Sequence, residues 1–109
     1  QLYDGKKVTG IFQPHLYTRT RDFVDEFAAS LNLLDELILL DIYPAREEQI
    51  EGVTSQIIFD KVDIENKTLC TKEELLDLLK TKDPEVLVTL GAGDIETLLP
   101  EIESILRNK

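Results

Sequence analysis

The chain has 109 residues, 42% of them hydrophobic, and a formal net charge of −10 at pH 7. This composition supplies enough apolar material for one folded domain and argues against disorder. The acidic balance argues against nucleic acid and membrane surfaces as partners, and no apolar run approaches the roughly 20 residues that span a bilayer. The lone Cys70 excludes an internal disulfide and fits a reducing cytosol, so we expect a cytoplasmic protein.

The first predicted strand, residues 6–12, is apolar and β-branched and leads into a loop rich in side-chain donors. Apolar residues then recur at intervals of three and four, which predicts a helix with Thr20 as its N-cap, ending near Leu31 and Asn32. A strand, a polar loop and a helix N-terminus in succession are typical of an anion or substrate site in an α/β sheet.

The second predicted strand is the continuous apolar run Leu37–Leu40, as expected for a central parallel strand covered on both faces. It ends in Asp41–Arg46, after which residues 47–54 are predicted as a loop and residues 55–62 as a short helix. Four acids near these segments are interpreted as solvated surface residues: Asp35, Glu36, Glu47 and Glu48.

The third strand, residues 68–70, is short and predicted to lie at an edge, and Thr71 with Glu74 forms a capping box that opens a helix. A further buried strand, Val86–Leu90, ends in Gly91–Asp94, and a last helix spans residues 95–106. Apolar strands that alternate with amphipathic helices predict an α/β fold with a parallel sheet and helices on both faces.

Three of these strand ends carry distinctive residues, at positions 15–21, 41–46 and 91–94. In a parallel sheet they meet at one edge, where ligands of open α/β sheets bind. Arg19, Arg21 and Arg46 follow strand ends, and arginine suits a bidentate grip on carboxylate or phosphate. The pattern predicts a small anionic ligand; the alternative is that the arginines pair with surface acids.

Other features are less specific. The Gly91–Gly93 pair lacks the third glycine of a dinucleotide fingerprint and could equally serve a tight turn. No Walker A phosphate loop occurs, and His15, the only histidine, cannot form a zinc site by itself. Two interpretations stay open for His15, a ligand-positioning residue or a simple polar contact, and two for Tyr17 and Tyr43, site residues or packing. No nucleophile–base pair is evident, so no catalytic residue and no metal ligand is predicted.

Three segments, in this order and spacing, resemble the C-terminal domain of the Mur ligases: residues 12–22 (FQPHLYTRTRD), 40–47 (LDIYPARE) and 91–94 (GAGD). The resemblance is strongest to the member that adds L-alanine to UDP-N-acetylmuramate through an acyl phosphate. It implies a Rossmann-like, three-layer α/β/α sandwich with a mostly parallel sheet of six strands, one of them an antiparallel edge strand. It also implies that residues 1–109 are one domain, the last of three, whose first helix precedes Gln1.

The same resemblance implies ATP and Mg²⁺ as cofactors of the complete enzyme, held chiefly elsewhere, with none bound to the isolated domain. The implied partners are the central ATPase domain of the same chain, UDP-N-acetylmuramate and L-alanine, and the domain alone would be inactive. Two alternatives remain open at this point: a stand-alone Rossmann-like module for a nucleotide or small molecule, and a non-catalytic interaction domain.

Residue by residue, His15 and Arg19 match family positions near the incoming amino acid and the transferred phosphate. Leu16 departs from the pattern, because the family commonly has arginine there. If that arginine grips the alanine carboxylate, either Arg19 must do more here, or Arg21 or Arg46 must help. The predicted substrate-binding residues are His15, Tyr17, Arg19 and Arg46. The predicted phosphate- or nucleotide-proximal residues are Thr18, Arg21, Gly91 and Asp94.

Overall fold

The computed structural model describes residues 7–43, 47–82 and 86–91, together with Pro100 and Ser104. The elements alternate in the predicted order: β1 (Val8–Gln13), α1 (Tyr17–Asp22), α2 (Val24–Leu31), β2 (Glu36–Leu40), α3 (Ser55–Phe59), β3 (Lys67–Cys70), α4 (Lys72–Lys80) and β4 (Val86–Gly91). Pro100 and Ser104 are helical, while the rest of the predicted last helix lies outside the described residues. None of the helices in the described ranges is long and apolar enough to cross a membrane.

The four strands form one parallel sheet in the order β3-β2-β1-β4. The predicted α/β class with a parallel sheet is therefore confirmed, and β3 lies at an edge of the described sheet as predicted. Within the described residues every strand pair is parallel, so the antiparallel edge strand stays a prediction. Gln13 pairs in register with Gly91 and Leu40 with Cys70, which places the carboxyl ends of all four strands along one edge.

Helices cover both faces of the sheet because the interior strands are apolar on both sides. Residues Leu37–Leu40 of β2 are fully buried and alternate between two cores. One core packs β1 and β2 against α2 and α3, and the other packs them against α4. Each fully buried leucine or isoleucine contributes about 1.5–3 kcal/mol relative to exposure, so β2 anchors the domain.

Two sequence-based predictions of side-chain burial are wrong. β4 forms as predicted but is less buried, since Thr89 is exposed and Leu90 keeps 40% of its surface in water. β4 lies at one end of the described strand order, next to β1. The second error concerns Asp35 and Glu36, which are half-buried rather than solvated. An Asp35 carboxylate oxygen accepts a hydrogen bond from the Val8 amide at 2.7 Å.

Helix boundaries were predicted well where a local cap exists. In α4 the Thr71 hydroxyl accepts from the Glu74 amide at 3.2 Å, and the Glu74 carboxylate accepts from the Thr71 amide at 2.9 Å, which confirms the capping box. Asn32 is the C-cap of α2, also as predicted. The assignment of Thr20 as an N-cap is wrong, because the helical segment already begins at Tyr17 and is divided into α1 and α2 at Phe23.

Candidate functional site

The candidate site lies in the two loops that follow the carboxyl ends of β1 and β2. Tyr43 donates its amide to the Pro14 carbonyl at 2.8 Å, and the Leu16 amide donates to the Tyr43 carbonyl at 2.8 Å. These bonds bring the His15 and Tyr43 rings together, with centroids 5.7 Å apart and planes inclined by 14°. With Gly91 opposite Gln13 on the next strand, the described parts of the three predicted loops lie along one edge of the sheet.

Leu16 makes the turn from β1 into α1 with a backbone conformation that is costly for leucine. Its φ of 68° and ψ of 140° lie in a region that glycine favours. Such a residue stores about 1–3 kcal/mol of strain and persists only where its surroundings hold it. Here the Leu16 carbonyl accepts from both the amide and the hydroxyl of Thr20, at 3.1 and 2.8 Å.

The start of α1 is held by an acid from a distant loop. The Glu47 carboxylate accepts from the Thr18 amide at 3.1 Å through Oε1 and from the Thr18 hydroxyl at 2.6 Å through Oε2. These hydrogen bonds, the hydroxyl first, lower the pKa of Glu47 below its ordinary value, with a smaller contribution from the Tyr17 amide. The first amides of a helix have no partner within the helix, so Glu47 supplies one. Its interpretation as a solvated surface acid is wrong.

Sequence reasoning missed Glu47 because it lies 29 residues from Thr18 along the chain. The usual signal of an N-terminal cap is a polar residue immediately before the first helical residue, and here that position is occupied by Leu16. Only the pairing of β1 with β2 brings the two loops together.

The two described arginines of the site differ in their surroundings. Arg21 Nε lies 2.9 Å from Asp22 Oδ1, and this hydrogen bond and charge raise the pKa of Arg21. Arg19 is exposed, and its guanidinium makes no hydrogen bond or ion pair within the described residues. The surface-pairing alternative therefore applies to Arg21, whereas Arg19 is available to an anion. Arg46 and Asp94 lie outside the described residues.

The remaining predicted residues take positions around this loop. Tyr17 is the first residue of α1 and is half-buried, as are His15 and Thr18. The structure thus gathers His15, Tyr17, Thr18 and Arg19 in one loop-and-helix segment. Their roles toward a ligand stay predictions.

A separate cleft of about 140 Å³ lies on the α4 side of the same edge. Its lining residues come from the ends of β1 and β2 and the start of α4: Gln13, Leu40, Asp41, Ile42, Thr71, Lys72 and Glu73. None of the predicted site residues lines it. Across the described parts of the chain, no three His, Cys, Asp or Glu side chains are grouped in a way that could hold a metal ion.

No protein-family model matches the chain, but it is similar to several individual proteins. The UDP-N-acetylmuramate–L-alanine ligase of Parabacteroides distasonis is 67% identical over 106 residues, covering 97% of this chain and 23% of that protein. The ligases of the same name from Phocaeicola vulgatus and Porphyromonas gingivalis strain W83 are 61% and 52% identical over 99% and 98% of the chain. The chain spans about a quarter of the length of these relatives and matches their C-terminal part.

Proposed function

Because the chain belongs to the Mur ligase family as a C-terminal domain, we propose that it acts within a bacterial, cytoplasmic ligase that joins L-alanine to UDP-N-acetylmuramate in peptidoglycan synthesis. The observation that carries this proposal is the 67% identity, over nearly the whole chain, to a ligase named for that reaction. Residues 1–109 form one domain in this proposal.

In the complete reaction, ATP phosphorylates the lactyl carboxylate of UDP-N-acetylmuramate, and the amine of alanine displaces phosphate from the acyl phosphate to form the amide. The sequence has no Walker A loop, so we assign Mg²⁺ and ATP to another part of the complete ligase. Those groups belong, in this proposal, to the central domain of the same chain. The C-terminal domain closes over that central domain and is inactive by itself.

In this proposal the domain contributes a positively charged side chain, at the carboxyl edge of its sheet, that contacts the amino acid or the phosphates. Arg19 is the described arginine of the site whose charge is not taken up by a neighbouring acid, so it is the residue we assign to the alanine carboxylate or the transferred phosphate. His15, held against Tyr43, lies in the same loop. Tyr17 and Arg46 complete the proposed substrate-binding set, and Thr18, Arg21, Gly91 and Asp94 are the residues we assign to the phosphates.

Steady-state kinetics of the full-length ligase test this assignment. Arg19→Ala should lower kcat/KM for alanine about ten- to hundredfold, because a charge-assisted, bidentate contact is lost. Arg19→Lys should recover only part of the loss, since lysine keeps the charge but not the planar fork. Lys61→Ala is the control: Lys61 is an exposed cation paired with Asp25 at 2.6 Å, on another part of the surface.

Two results would count against the proposal in different ways. A full-length protein that consumes no ATP when given alanine and UDP-N-acetylmuramate would contradict the function itself. Unchanged kinetics for Arg19→Ala, in an active enzyme, would remove Arg19 alone from the site. Calorimetry of the 109-residue chain with ATP addresses the alternative of a free-standing nucleotide module, which micromolar binding would favour.

A further inference from the structure

We infer that Glu47 is a positioning residue for the amino-acid site: its carboxylate sets the first turn of α1 and, through it, the place of Arg19. The inference rests on the proposed function, because it concerns the same site. It assigns Glu47 no contact with the substrate or the reacting atoms.

The contact between Glu47 and Thr18 uses both carboxylate oxygens of Glu47 and two donors of Thr18. One carboxylate oxygen is bound by the Thr18 amide at 3.1 Å and the other by the Thr18 hydroxyl at 2.6 Å. A backbone group and a side-chain group of the same residue are therefore fixed by a single carboxylate. Thr18 directly precedes Arg19, so holding Thr18 in place also fixes the point from which the guanidinium extends.

α1 needs such a tie because it is too short to be stable by itself. It has six residues, and Thr20 is its only buried side chain. Isolated helices of fewer than about 12 residues are marginal in water, so the orientation of α1 depends on contacts with other segments. The strained Leu16 before it adds a reason for the chain to rearrange if the tie is lost.

The loop that carries Glu47 is itself anchored to the same strand end. Tyr43, four residues earlier, exchanges backbone hydrogen bonds with Pro14 and Leu16 and stacks on His15. The segment after β2 therefore contacts the segment after β1 at two points: Tyr43 contacts His15, and Glu47 contacts Thr18. Because Glu47 supplies the second point, its loss should free α1 while leaving the His15 contact in place.

The test is a double-mutant cycle in the full-length ligase. Glu47→Ala should raise KM for alanine about three- to tenfold, because the charge-assisted hydrogen bonds that hold Thr18 are lost and Arg19 is less well placed. Glu48→Ala is the matched control, because Glu48 is the adjacent acid and is exposed. In an Arg19→Ala background the further change caused by Glu47→Ala should be less than about twofold, since Glu47 acts through Arg19.

The cycle separates positioning from a general loss of structure. A purely structural role would lower the amount of active enzyme by the same factor in both backgrounds and leave KM for alanine unchanged; that result would overturn the inference. Should Glu47→Ala fail to fold, Glu47→Gln addresses the same contact, because an amide has one acceptor oxygen where the carboxylate uses two. Glu47→Gln should also raise KM for alanine in the wild-type background, and an unchanged KM would refute the role. Absence of ligase activity in the wild-type protein would instead contradict the proposed function.

Discussion

Thr20 gives a direct test of how the site segment folds, because the sequence pattern and the structure assign it opposite environments. As an N-cap it would be solvent-accessible, and aspartate would serve there as well as threonine. In the structure it is fully buried, and its hydroxyl donates to the Leu16 carbonyl at 2.8 Å. Thr20→Asp would then bury a carboxylate that faces a carbonyl oxygen, and we expect it to cost more than about 3 kcal/mol.

Thr20→Val removes the hydrogen bond from the Thr20 hydroxyl to the Leu16 carbonyl while it keeps a side chain of similar size in the buried position. The Leu16 carbonyl keeps the Thr20 amide as a donor at 3.1 Å, so no buried polar group is orphaned. The expected loss is therefore that of one neutral hydrogen bond, about 0.5–1.5 kcal/mol.

Urea unfolding of the 109-residue chain measures both variants, with the slope of the transition checked for constancy. We expect the order wild type, then Thr20→Val, then Thr20→Asp, from most to least stable. A Thr20→Asp chain as stable as wild type would refute the buried placement and restore the N-cap. A Thr20→Val chain that loses nothing would show that the hydroxyl does not hold Leu16 in its strained conformation.

Three further predictions concern the rest of the domain. Gly10→Ala would place a Cβ 2.5 and 2.9 Å from the two methyl groups of buried Leu34; we expect a loss of about 1–3 kcal/mol in urea unfolding, and a Gly10→Ala chain as stable as wild type would contradict this packing. Burial raises the pKa of the Cys70 thiol to about 11, so a thiol reagent at pH 8 should react far more slowly with the native chain than with the chain in urea; equal rates would be inconsistent with the buried thiol. Because the pKa of Glu47 is lowered in the folded chain, its stabilising effect is complete above the ordinary glutamate pKa and is lost as pH falls through the folded pKa. The difference in unfolding free energy between wild type and Glu47→Gln should therefore shrink in acid, and a difference independent of pH would speak against the Thr18 contact.

Much of the fold was predictable because it depends on local pattern. The apolar run Leu37–Leu40 identified the interior strand, and it is fully buried with one core on each side. The Thr71–Glu74 capping box marked the start of α4, since both of its hydrogen bonds join residues three apart.

The site was predicted in part. The expectation that the loops after β1, β2 and β4 share one edge follows from a parallel sheet, and the pairing of Gln13 with Gly91 and the His15–Tyr43 bridge agree with it. The sequence could not distinguish Arg19 from Arg21, because both have acids nearby in the chain. Only the side-chain positions show that Arg21 pairs with Asp22, while Arg19 makes no such pair within the described residues.

By itself the sequence determined the order of strands and helices, the family, and the segment that carries the candidate site, since each of these depends on residues a few positions apart or on a motif read directly. Tertiary structure alone decided which acids are structural. Glu47 reaches Thr18 across 29 positions and Asp35 reaches Val8 across 27, in both cases because β1 and β2 lie side by side. The register of two strands sets such contacts, and local hydrophobic periodicity does not specify which polar side chain will meet which amide.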